Sequence, residues 1–302
     1  MLTTIAVPAS VANLGPGFDT LAVAVQVYLR VRIVEQKQDG LGTLVVRRAD
    51  PPVPADNGVE RAYQSLAARA PAGLPSLVVD IESEIPIGSG LGSSAAATVA
   101  GLRLFEQVVA PLGDDELLAA ATALEGHPDN AAAALHGGMV AALQHEDGRV
   151  SVAVLEWPRD VRLLIATPAR PLATKEARKV VPASYSRADA IFNLQRVARL
   201  MHAVATGDAD SLGEALKDRW HQPQRAALVP ELTPALAIED PDLLGVCLSG
   251  AGPSIVAFAR TNRDRIAGKL EAIYRASGTP VTVRDVCAEH PRTVTAAAGA
   301  RG

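Results

Sequence analysis

The stretch Pro86-Ile87-Gly88-Ser89-Gly90-Leu91-Gly92-Ser93-Ser94-Ala95 decides how this chain is read. Three glycines at alternate positions let the backbone approach a ligand closely and turn successive N–H groups into one concavity. The Ala-rich run from Ser93 to about Val109 predicts a helix directly behind them, because Ala is the strongest helix former. The free N–H groups and positive dipole end of such a helix favour phosphate. Ser93 and Ser94 add hydroxyls at that terminus, one of which suits Mg2+. There is no Gly-Lys-Ser/Thr, so this is not the Walker-type loop, and the Gly-x-Gly-x-x-Gly of dinucleotide binding is also missing.

Working outward, Leu77–Ile81 predicts a strand entering this turn, and Leu2–Val7, Leu21–Val34 and Thr43–Arg48 predict three more. A helix is expected over Val59–Ala70, closed by Pro71 and Gly73, and another over Asp114–Leu124, which opens on acidic residues. Gly137–Leu143 and Val150–Leu155 read as a hairpin turning at Glu146–Gly148. In the second half, strands are expected at Val161–Thr167, Leu243–Leu248, Ser254–Phe258 and Val281–Val286. Helices are expected at Thr174–Val180, Ala188–Thr206, Asp210–Lys217 and Arg263–Ala276. Within Ala188–Thr206, Ile191, Leu194, Val197, Ala198 and Met201 recur at helical spacing and predict one apolar face. The tail from Glu289 has no periodicity and reads as frayed. Strands are grouped rather than strictly alternating with helices, which makes the class α+β. Pro158 interrupts the pattern and gives the best single cut, into domains 1–157 and 158–302.

The bulk properties narrow the function. The 302 residues are 48% hydrophobic and 21% charged, ordinary globular values. A net charge of −4 gives no global pull toward nucleic acid or anionic membrane. Aromatics at 3% leave little with which to stack bases. The N-terminus lacks the pattern of a signal peptide, and no run of about 20 apolar residues predicts a transmembrane helix. Two cysteines, Cys247 and Cys287, do not make a disulfide framework. The expectation is a soluble cytoplasmic protein with no nucleic-acid and no membrane partner.

Three further segments carry polar groups. Glu125-Gly126-His127-Pro128-Asp129-Asn130 puts four binding or proton-transferring side chains at the junction of two helices; by itself it also reads as a helix–helix turn. Ser249-Gly250-Ala251-Gly252-Pro253-Ser254 is a tight turn between apolar strands. Pro8-Ala9-Ser10-Val11-Ala12-Asn13-Leu14-Gly15-Pro16-Gly17-Phe18-Asp19 reads as a loop offering Asn13 and Asp19.

In order and content, these four segments resemble the small-molecule kinases named for galactokinase, homoserine kinase, mevalonate kinase and phosphomevalonate kinase. That family's phosphate loop, Pro-x-Gly-x-Gly-Leu-Gly-Ser-Ser-Ala, fits Pro86–Ala95 throughout, and its C-terminal Gly-rich loop is matched by Leu248–Ser254. The segment Val7 to Asp19, without the Lys of mevalonate-type members, is similar to the homoserine kinase branch. So are Glu125–Asn130, Thr174-Lys175-Glu176-Ala177-Arg178, Phe192–Arg196 and His221-Gln222-Pro223-x-Arg225.

The resemblance implies a two-domain α+β fold: an N-terminal ribosomal-S5-like domain with a left-handed βαβ unit, and a C-terminal ferredoxin-like domain. It implies ATP and Mg2+ as cofactors, L-homoserine as substrate, O-phospho-L-homoserine as product, and a homodimer, which members often form. Asn57 and the loop residues Pro86, Ile87, Gly88, Ser89, Gly90, Leu91, Gly92, Ser93, Ser94 and Ala95 would hold ATP. Ser94 and Glu125 would hold the metal. Arg178 and Arg225 would take the substrate carboxylate with help from Thr174, and Asp19 its ammonium. Asn13, His127 and Asn130 would hydrogen-bond the substrate. Asn13 and Asn130 would join Asp129 in the catalytic set, where Asp129 either accepts the hydroxyl proton or orients Asn130.

Overall fold

The computed structural model describes residues 3–54, 56–68, 70 and 73–292. Pro71 and the last ten residues of the expected frayed tail lie outside them, as does Leu2. Two sheets organise the chain. The first contains β1 (Thr4–Ala12), β2 (Leu21–Lys37), β3 (Leu44–Asp50), β4 (Ser76–Ser83), β5 (Met139–Gln144) and β6 (Val150–Leu155). The long β2 carries it: β1 runs antiparallel along one side, with Val11 opposite Val23, while β4 and β5 share the other side. β3 lies parallel to β4 and reaches it through α1 (Gly58–Ala67). Against this sheet pack α2 (Ser93–Val108), α3 (Asp114–Glu125) and α4 (Asp129–His136).

The second sheet has the order β10-β7-β9-β8, antiparallel throughout, from β7 (Arg162–Pro168), β8 (Leu243–Leu248), β9 (Ile255–Ala259) and β10 (Val281–Val286). Numbered within this half the order is 4-1-3-2, the ferredoxin-like arrangement. Between β7 and β8 run α5 (Thr174–Lys179), α6 (Arg187–Thr206), a 3-10 turn at Ala209–Ser211, α7 (Leu212–Ala215), α8 (Gln222–Arg225) and α9 (Leu232–Leu236); α10 (Arg263–Ala276) links β9 to β10. All five residues of β9 are buried because both faces of this sheet are covered. Leu163, Ile165, Val256 and Phe258 face a core shared with the first sheet, while Leu164, Ala166, Ile255 and Ala257 face one with α9 and α10. After β10 the chain returns to the first sheet, where Glu289 N–H donates to Ala24 O.

Two expectations are corrected. The segment from Pro8 is not loop throughout: β1 continues to Ala12, and a register shift between Pro8 and Ala9 lets the strand accept a proline that lacks an N–H. In α6, Ile191, Leu194 and Ala198 do not form the buried face; Asn193, Leu200, Ala203 and Val204 do. The first half of this helix is anchored by a polar residue, since Asn193 donates to Pro16 O and to Asp218. Both cysteines are free, Cys247 buried and Cys287 half-buried. Among the described residues, no helix is long and apolar enough to cross a membrane.

Candidate active site

The four Gly- and Asn-rich segments meet at one place. Ser10 N–H donates to Leu91 O, Ser254 N–H to Ser89 O, and Gly250 N–H to Ala12 O, so the loop 88–92 is tied to both the end of β1 and the β8–β9 turn. A cleft of about 390 Å³ opens over this junction and takes side chains from both halves of the chain.

One wall is backbone. Gly88, Gly90 and Gly92 face the cleft, while the alternate residues turn away: Leu91 enters the core and Ser89 donates its hydroxyl to Pro86 O. Pro86, Ser89 and Leu91 do not line this cleft and support the loop from behind. Gly90 is irreplaceable, because a Cβ there would lie 2.4 Å from Ser249 O, at φ +79°. Gly92 precedes α2 at φ 68° and no side chain caps the helix. The first-turn N–H groups of this 16-residue helix are left for an anion.

Beside them, Ser94 Oγ and Thr98 Oγ1 donate to Glu125 Oε1 at 2.9 and 2.7 Å. One turn of α2 thus faces the last residue of α3. Two hydroxyls and a carboxylate at an uncapped helix end are hard oxygen donors of the kind Mg2+ takes. Thr98 was not found from the sequence, although its spacing of four from Ser94 puts both on one helix face.

The opposite wall is made of side chains. Asp19 and Arg178 form a bidentate pair at 2.7 and 2.9 Å. The hydrogen bonds that Arg178 donates to Asp19 raise the Arg178 pKa further. Arg225 is 1% exposed. Its Nε donates to Ala177 O, and its Nη1 to Gly250 O and to His221 Nδ1. Burial, with Arg178 nearby, lowers its pKa to about 10, which leaves it charged at neutral pH. The Phe18 ring lies 5.5 Å from one guanidinium and 5.3 Å from the other and holds them on its two contacts. Asn13 donates to Gly250 O and accepts Asp19 N–H, bracing the loop between them. Thr174 lines the rim, exposed, at the start of α5.

At the floor, His127 Nδ1 lies 2.6 Å from Asp129 Oδ1, which also accepts the Asn130 backbone N–H. Ser10 Oγ donates to Asn130 Oδ1. Burial works to lower the His127 pKa, but the hydrogen bond and charge of Asp129, aided by Asp19, outweigh it and leave it raised. Asp19, His127 and Asp129 bring donor atoms within 4.8 Å of one another. Both carboxylates already have partners here, Asp19 in Arg178 and Asp129 in His127.

The cleft therefore gathers every expected residue except Asn57 and the three loop supports. Asn57 lies on a separate shallow groove over β3, where its side chain accepts Glu60 N–H and caps α1. The sequence reading missed Arg61 on the rim, Phe18, and the buried His221 behind Arg225. His221 belongs to the motif His221-Gln222-Pro223-x-Arg225, in which the arginine alone carries a charge suited to a carboxylate.

Residues 57–138 match the family described as GHMP kinases N terminal domain, and residues 200–276 match GHMP kinases C terminal. The chain is 40% identical to a homoserine kinase of Solibacter usitatus, covering 90% of each chain, and 42% identical to one of Deinococcus radiodurans, covering 84% of this chain and 83% of that one. A crystal structure of homoserine kinase from Cytophaga hutchinsonii superposes with a TM-score of 0.81 at 26% identity, over 96% of both chains. Mevalonate kinase of L. major shares the fold, with a TM-score of 0.67 at 18% identity. With an uncapped helix end facing a carboxylate–guanidinium wall, on a two-domain α+β scaffold matched along nearly its whole length, this chain belongs to the homoserine kinase family of the GHMP kinases.

Proposed function

We propose that the protein transfers the γ-phosphoryl group of ATP to the side-chain hydroxyl of L-homoserine. The observation that carries this reading is the facing of two unlike walls across one cleft. One offers backbone N–H groups and a helix N-terminus suited to polyphosphate. The other offers two guanidinium groups and a carboxylate, suited to an amino acid zwitterion.

The acceptor carboxylate would lie on Arg225 and Arg178, and its ammonium on Asp19. Since Asp19 and Arg178 pair with each other in this structure, the zwitterion would share both partners of an existing ion pair. Ser94 and Glu125 fit Mg2+, which when bound would neutralise charge on the phosphates. The hydroxyl would be aimed from the floor by His127 and Asn130. Asp129 is 1% exposed and its Oδ1 is already engaged by His127 and Asn130, so we assign it the orienting role rather than that of proton acceptor. Phosphoryl transfer has a loose transition state, and positioning with charge stabilisation supplies most of the acceleration.

The test is ADP release from purified protein with Mg2+-ATP, with and without L-homoserine. A homoserine-dependent rate is expected. Turnover of mevalonate, shikimate or a diphosphocytidyl alcohol instead would move the chain to another acceptor, and ATP binding without turnover of any acceptor would make it a nucleotide-binding regulator. The cytoplasmic setting and the homodimer belong to this proposal on the family resemblance alone; sedimentation of the purified protein tests the latter.

A further inference from the structure

Arg225 has five N–H groups, and three are spent on protein acceptors. Two of those acceptors are backbone carbonyls. The third is the Nδ1 lone pair of His221, 3.0 Å from Nη1. A ring nitrogen facing a guanidinium N–H must be the unprotonated one. The other nitrogen, Nε2, lies 2.8 Å from Gly15 O and must carry the proton. His221 is completely buried, so neither ring nitrogen has water as an alternative. Its imidazole therefore ties the loop that carries Asn13 and Asp19 to the arginine of α8. Behind it, the buried Asp218 accepts the N–H groups of Trp220, His221 and Gln222 and a hydrogen bond from Asn193 Nδ2, which fixes the turn on which His221 sits.

We propose that His221 is a positioning residue for the acceptor carboxylate: as the Nε2–H tautomer, held by Gly15 O, it sets the rotation of the Arg225 guanidinium so that Nη2 is left for the substrate. The inference rests on the functional reading above. It adds a residue that touches neither substrate nor phosphate, yet decides which face of Arg225 the substrate meets. Nη2 has no hydrogen-bond partner among the described residues, whereas Nε and Nη1 are fully used. The charged groups facing the ring are Asp218, with Oδ2 3.6 Å from Nε2, then Arg225 and Asp19. Burial, with Arg225 opposing protonation, holds the His221 pKa far below its usual value. The tautomer is therefore kept across the neutral range.

Two substitutions separate positioning from mere packing. In His221→Asn, the amide oxygen falls near the position of Nδ1 and can accept from Arg225. In His221→Gln, the polar group falls near the position of Nε2 and reaches Gly15, leaving Arg225 without its acceptor. The Gln variant is expected to raise the KM for L-homoserine about tenfold or more, with the KM for ATP changed less than about twofold. The Asn variant is expected to recover most of that loss. With 3-aminopropan-1-ol, which is homoserine without its carboxylate, wild type and the Gln variant should differ less than about twofold in kcat/KM. A packing role would lower turnover of both acceptors alike and would not be rescued by Asn.

Nitrogen NMR of wild-type His221 gives a readout independent of any variant's folding. The expected signal is a neutral Nε2–H imidazole, unchanged from about pH 8 down to about pH 5. An Nδ1–H signal, or a Gln variant with wild-type KM for homoserine, would overturn the proposal. Absence of homoserine-dependent ADP release from wild type would instead overturn the substrate reading, and the NMR result would still decide whether His221 sets Arg225.

Discussion

The two walls of the cleft are built on different principles. The phosphate wall is backbone: alternate glycines, a close crossing under the β8–β9 turn, and an uncapped helix end. The acceptor wall is side chain: Asp19 on Arg178, and Arg225 on His221 and two carbonyls. A backbone wall has no atoms to spare and is broken by addition. A side-chain wall is broken by deletion, and then only for the ligand end that the deleted group would meet.

The largest effect should follow from adding one methyl group. Gly90→Ala would place Cβ 2.4 Å from Ser249 O and 2.6 Å from Gly252 O, in a left-handed backbone that costs about 1–3 kcal/mol for a non-glycine residue. Because both contacts are backbone, the loop must move. A shift of about 1 Å at a reacting site costs on the order of a hundredfold, so kcat/KM should fall at least that far for both substrates, together with the melting temperature. Wild-type ATP affinity in this variant would show that the loop is not a rigid cradle.

Deletion comes next. Arg225→Ala leaves His221 Nδ1 without its donor, takes one of the two donors from Gly250 O and removes a buried cation. Truncating one side of such a pair costs about 2 kcal/mol or more, or roughly 30-fold, and the loss should fall on the KM for homoserine while that for ATP stays within about twofold. Equal damage to both constants would mean that the walls are not separable. Smaller again is Glu125→Gln, which keeps the shape but removes the charge that receives Ser94 and Thr98. An expected drop of about tenfold in kcat, with a higher Mg2+ requirement, is read from a Mg2+ titration.

The same contrast explains what could be read from the sequence. The phosphate wall is local in sequence, so ten consecutive residues carried both its shape and its chemistry; even Thr98 was within reach of helical spacing. The acceptor wall is assembled from positions as far apart as Asp19, Arg178 and Arg225, and nothing near the two arginines marks them as more than surface charge. Only the family resemblance picked them out. Asn57 lies off the cleft, and its side chain caps α1, a role read as readily from an Asn before a helix. α6 fails for a related reason, because counting apolar residues cannot detect a helix held by Asn193 and by the stacking of Arg196 and Arg219 on Phe192.

The smallest effect tests where the walls join. Asp129 raises the His127 pKa, and without it burial and Arg178 lower that pKa against Asp19 alone. Proton NMR should place the His127 pKa above 6.5 in wild type and below 6.5 in Asp129→Asn, which keeps an oxygen for the Asn130 N–H. The sign of the stability change follows. A histidine whose folded pKa is raised contributes stability that is fully present below its unfolded pKa and is lost as the pH rises through the folded value. The melting temperatures of wild type and variant should therefore differ most below about pH 6.5 and converge as the pH rises past the wild-type value. A constant gap across that range would mean that Asp129 holds the floor by its backbone contact alone, and that the proton on His127 plays no part in joining the two walls.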